Sequence, residues 1–162
     1  MADHRAPQSK QPYHAVEALG VEEAARRLAG YGAVAEGLAY AAIQALAQDL
    51  TARGYRATSV GILESSGRKG SSLAAILASH ALIHTADGDH FRQALAAAAE
   101  RSDLAVSRVP ARDLEARAEA RLRRPLSRLQ DVVKNLGRQV GPPWGADQKM
   151  AALLAWLLLD QA

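Results

Sequence analysis

The stretch Ser71–Ala98, SSLAAILASHALIHTADGDHFRQALAAA, decides how the chain is read, because polar side chains here fall on a stripe that a helix would bury. At ~100° per residue, Leu73, Leu77, His80, His84, Asp87, Phe91 and Leu95 project in nearly one direction. One helical face then reads apolar, imidazole, imidazole, carboxylate, apolar. Ser71 or Ser72 is the expected N-cap, the helix is expected to continue to about Arg101, and Gly88 is the expected place for a bend. Two imidazoles four residues apart come within reach of one metal ion, and Asp87 follows a turn later as a third ligand. A buried hydrogen-bond network accounts for the same three residues, since the Glu of H-E-x-x-H is missing. In either case the stripe is expected to pack against the strand and the helix that carry Glu64 and Asp147. His90, off the stripe, reads as a surface residue.

Outward from this helix the period changes. Tyr55–Leu63, YRATSVGIL, reads as a strand stopping at Glu64, and Leu104–Val109, LAVSRV, as a second strand ending at Pro110. Two strands joined by one long helix predict a parallel, right-handed βαβ unit. Upstream, Ala33–Arg53 reads as a helix with Gly54 at its C-cap, and Val16–Leu28 as a shorter helical piece that Gly20 interrupts and Gly30-Tyr31-Gly32 ends. Residues 1–12, with Pro7 and Pro12, read as a disordered tail. Downstream, Asp113–Leu136 is helical and interrupted at Pro125; Pro142 and Pro143 forbid regular structure, and a last apolar helix opens near Asp147. The expected fold is a single helix-rich α/β domain over residues 13–162, a small parallel sheet covered by helices.

Composition supports close helix packing. Of 162 residues 49% are hydrophobic but only 4% aromatic, so Leu, Ile, Val and Ala must form the core. The absence of cysteine excludes disulfides, thiolate metal ligands and cysteine nucleophiles. With no run of ~20 apolar residues and no apolar leader in MADHRAPQSKQP, a cytoplasmic protein without a membrane span is expected. The net charge is only +3, yet between Arg101 and Arg138 ten Lys/Arg face five Asp/Glu. Arg123, Arg124, Arg128 and Lys134 are therefore the candidates for a nucleic-acid surface, the alternative being a solvated face of paired charges. The loop SSGRKGSS is not a P-loop, because Lys69 precedes the last glycine instead of following it.

The order of pieces, a helix over Ala33–Arg53, SVGILESS, a crossover helix, VSRVP, a charged helical segment and DQKMAALLAWLLL, resembles the second half of ribonuclease-H-like folds, especially the Holliday-junction resolvase branch. The likeness spans roughly Ala33–Ala162. It implies that Glu64 matches the family's strand-end glutamate and Asp147 its final-helix aspartate, both catalytic ligands for magnesium in active members. Those enzymes open with a hairpin whose first strand carries a leading aspartate, whereas residues 1–32 here read as tail and helix. The expectation is thus a non-catalytic or degenerate relative acting as a binding or assembly module and forming a homodimer. Two alternatives stand beside it: a magnesium-dependent nuclease using Glu64 and Asp147, and a small metal-binding protein using His80, His84 and Asp87.

Overall fold

The computed structural model describes residues 7–65 and 70–160. Their contacts form two compact units, one built from the described residues up to 60 together with 70–106, the other from 61–65 with 107–160. Both strands of the sheet, β1 (Ser59–Glu64) and β2 (Ala105–Pro110), run from the first unit into the second. They pair in parallel as a two-stranded sheet, and the fold is helix-rich α/β as expected.

The first unit is dominated by α1 (Val21–Ala52), a single helix of 32 residues. Gly20, in extended backbone, sits at its N-cap, and Glu22 and Glu23 in the first turn complement the helix dipole. The break expected at Gly30-Tyr31-Gly32 does not occur. A glycine inside a helix costs only ~1 kcal/mol relative to alanine, and buried Ala24, Leu28, Ala35 and Ala39 offset that through tertiary packing. The helix ends where Gly54 was expected to end it: Gly54 takes φ +82°, and the Tyr55 N–H donates to the Leu50 carbonyl at 2.9 Å. The end of α3 repeats this arrangement, with Asp103 at φ +56° and the Leu104 N–H donating to the Ala99 carbonyl at 3.0 Å. Each turn delivers the chain into a strand.

The stretch quoted first is two helices. Ser72 caps α2 (Leu73–Leu77), its Oγ accepting from the Ala75 N–H at 3.2 Å, but extended backbone at Ser79 separates it from α3 (His80–Arg101). The interruption therefore lies at Ala78–Ser79, and α3 passes through Gly88 unbroken. That shift of phase removes Leu73 and Leu77 from the face of His80 and His84. Instead they pack with Tyr13, Leu19 and Tyr31 against buried Val16, Ala24 and Leu28. The most extensive helix pairing here is α1 on α3, lined on both sides by buried alanines that let the backbones come close. Residues 7–12 also depart from the expected tail: Pro7–Lys10 form a 3₁₀ turn and Pro12 is fully buried, while 1–6 lie outside the described residues.

The second unit has its own core of Val109, Leu114, Ala118, Leu129, Val133, Leu153, Leu154 and Leu157. Helices α4 (Leu114–Leu122) and α5 (Leu126–Val140) are separated at Pro125, as expected, with Arg123 in the left-handed region at φ +51°. Helix α6 (Ala146–Leu159) crosses β1 at Gly61, where a Cβ would stand 2.7 Å from Leu158 Cδ1 and 2.8 Å from Leu154 Cδ2. Only glycine permits that approach. Trp144, before α6, donates from Nε1 to the Val133 carbonyl at 3.1 Å and lies directly over Gly137 of α5.

Candidate metal centre

Three imidazoles meet in the first unit. His80 opens α3, His84 follows one turn later, and His14 arrives from the 3₁₀ turn His14–Val16 that precedes α1. Each ring offers a nitrogen, and the three lie within 4.8 Å of one another. Ring centroids are 5.3 Å apart for His14–His80 and 4.5 Å for both His14–His84 and His80–His84. The Nε2 atoms of His80 and His84 are 3.1 Å apart. Nitrogens on a tetrahedral ion at ~2.0–2.1 Å stand about 3.3 Å from each other, a spacing His80 and His84 already hold and one that His14 would reach by moving inward by up to roughly 1.5 Å.

Asp87 takes a different part from the one its spacing predicts. Instead of standing beside the imidazoles as a ligand, it is buried, at 8% exposure, and faces the N-terminal segment. Its Oδ1 accepts from the Tyr13 N–H at 2.7 Å and its Oδ2 from His14 Nδ1 at 2.5 Å. A carboxylate only accepts, so His14 Nδ1 carries a proton, and Nε2 is the nitrogen that would serve a metal. A buried carboxylate holding the far nitrogen of a histidine is the usual outer support of a metal-ligating imidazole.

The surroundings of this support are partly buried. Burial first, then the negative charges of Asp87 and Asp89, pushes the Tyr13 phenol above its ordinary value and keeps it protonated. His90, expected on the surface, is half-buried edge-on to Tyr13 at 6.3 Å and to Phe91 at 5.3 Å. Desolvation lowers its pKa, opposed by a backbone hydrogen bond with Tyr31 and by the charge of Asp87. Its Nε2 is buried without a hydrogen-bond partner among the described residues. That suits a neutral ring, whose free lone pair costs less to bury than an N–H.

Two features of the stripe are thereby corrected. His80 and His84 are exposed, not buried, and Asp87 packs toward the segment around Tyr13. The physical reason is that the N-terminal segment covers the turn holding Asp87, through the Tyr13 N–H and His14, and leaves His80 and His84 on the preceding turns exposed. His14 had no signal of its own. It lies 66 positions before the nearest other ligand, in a segment whose histidine shares no spacing with the pair, and only the docking of that segment brings it in.

The remaining candidates lie in the second unit. Glu64 ends β1, half-buried, with Arg108 Nη1 4.0 Å from its Oε1. Asp147 lies exposed in the first turn of α6. Among the described residues, the group of three or more potential metal ligands is the histidine cluster, and neither carboxylate belongs to it. No strand precedes β1 among the described residues, so the leading acidic strand of the resembled family has no counterpart there. Arg123, Arg124, Arg128 and Lys134 are all exposed; the Arg124 guanidinium stands 6.0 Å from the Trp156 ring centre, and Arg128 and Lys134 project from different sides of α5.

Nitrogen donors without thiolates favour a borderline cation such as zinc, copper(II), nickel or cobalt over magnesium, which prefers oxygen. Three protein ligands with two of them exposed leave a coordination position open to water or a small ligand. Compared with protein families, with curated proteins and with solved structures, the chain shows no match.

Proposed function

We propose that this protein binds a divalent transition-metal ion, zinc in class, through His14, His80 and His84, with Asp87 as the residue that orients His14. The observation that carries the reading is the convergence of three imidazole nitrogens within 4.8 Å, one of them backed by a buried carboxylate. A hydrogen-bond network alone has less need of two exposed rings converging on a third, since solvated imidazoles are satisfied by water. The test is metal analysis and zinc titration of protein purified without a histidine tag. One equivalent bound, and a large loss in His84→Ala, is expected. Sub-stoichiometric zinc, nickel, copper and cobalt together with no titratable binding overturns the reading.

Self-association is a second reading, favoured by a separate observation. Val34 and Leu38 are exposed along one face of α1, and nothing lies within 4 Å of a Cβ placed at Gly30 or Gly37 beside them. A second copy of this helix is the natural cover for such a face. Sedimentation at micromolar concentration is expected to show a dimer that Leu38→Glu dissociates; a strict monomer rules it out.

A further inference from the structure

We infer that the ion held by the histidine cluster is a latch on the N-terminal segment, so that metal supply sets whether residues 12–19 are docked on α3. The inference rests on the metal-binding reading above and adds to it a consequence for the chain. His80 and His84 occupy successive turns of one helix and stand ready whatever the segment does, whereas His14 supplies the third nitrogen only when the segment is docked.

Apart from the imidazole of His14, the segment is held by one small apolar cluster and one carboxylate. Val16 and Pro12 are buried, Leu19 and Tyr13 pack beside Val16, and Asp87 accepts from the Tyr13 N–H and from His14. Its backbone is closed by short turns, with the Val16 N–H donating to the Tyr13 carbonyl at 3.2 Å and the Leu19 N–H to the Val16 carbonyl at 3.0 Å. Such a piece opens locally at far lower cost than the long helices it rests on. A third ligand makes the docked form bind the ion more tightly than the open form, and linkage then requires the ion to favour docking by the same factor. With the ion at ~100 times its dissociation constant the shift approaches about 100-fold, reduced by whatever affinity the two helix histidines keep alone. Leu73 and Leu77 of α2 share the cluster of Val16, so the latch holds α2 in place as well.

Amide hydrogen exchange on the untagged 162-residue chain tests this, with zinc chloride at ~100 times the titrated dissociation constant against excess EDTA. Zinc is expected to slow exchange at Tyr13, Val16 and Leu19 by tens of fold, to the ~100-fold limit, and to leave α5 and α6 unchanged. In His14→Ala, checked for helix content by circular dichroism, weak zinc binding remains and the protection by zinc disappears. If zinc titrates with one equivalent but does not change exchange in the segment, the latch is overturned and metal binding stands. Uniform slowing over the whole chain, or protection that survives in His14→Ala, also overturns it. If zinc does not bind the wild-type chain at all, both readings fall together.

Discussion

Asp87→Asn discriminates most sharply between a metal support and a mere buried contact. Two donors converge on the carboxylate, the Tyr13 N–H at 2.7 Å and His14 Nδ1 at 2.5 Å, and Asp87 has an acceptor oxygen for each. Asparagine has one acceptor and one donor. If its oxygen stays on the Tyr13 N–H, its NH₂ faces His14 Nδ1, which must then give up its proton and accept. The proton moves to Nε2, which loses the lone pair that a metal requires. Size and shape hardly change, so packing around Ile83 and Val16 is preserved. Hydrogen bonds to a charged group contribute ~1.5–3 kcal/mol, and a loss of stability of that order is expected in urea unfolding with EDTA present. Removing an outer support of a metal ligand costs ~10–100-fold in affinity, or about 1.4–2.7 kcal/mol, measured by competition with a zinc-binding dye. Wild-type zinc affinity in a folded Asp87→Asn protein would refute the assignment of His14 as a ligand held by Asp87.

Three further expectations concern the packing and the titration that support this arrangement. In Gly137→Ala the new Cβ falls on the Trp144 ring, which must leave and break its bond to the Val133 carbonyl; a loss of ~2–4 kcal/mol and a red-shifted tryptophan emission are expected, and unchanged emission would count against it. Leu129→Ala empties a fully buried position in the second core and should cost ~2–5 kcal/mol by urea unfolding, a cost below 1 kcal/mol meaning that the site collapses around the void. Burial lowers the pKa of His90, so between its folded value and the ordinary 6.5 the unfolded chain binds the proton more readily. Its contribution to stability is therefore full above 6.5 and is lost as pH falls through the lower folded value. The urea midpoint should drop on acidification over that window and drop less in His90→Phe; equal slopes in the two proteins would exclude His90 as the source.

Much of the chain's local structure was legible in its residues. The strand that stops at Glu64, the strand that stops at Pro110, the Ser72 cap, the Gly54 helix end and the division at Pro125 all depend on chemistry within a few positions. Period two, a hydroxyl N-cap, a positive φ and a missing N–H are properties of short segments, and short segments carry them wherever they are placed. Gly30-Tyr31-Gly32 shows the limit of that reasoning: the local penalty is real, but the packing of α1 along α3 outweighs it. The break at Ser79 shows the same limit from the other side, because alanine-rich sequence on both sides has no local cause to stop.

By itself the sequence determined that His80, His84 and Asp87 share one side of a helix, because the spacings i, i+4 and i+7 fix that for any α-helix. Only the tertiary structure decided what they face. The docking of the segment around Tyr13 and Val16 covered Asp87 while leaving the two histidines exposed, and the same docking brought His14 across 66 positions of chain. A helical face is a matter of backbone periodicity, whereas a ligand set drawn from two segments depends on which apolar surfaces bury each other, and no spacing in the sequence encodes that choice.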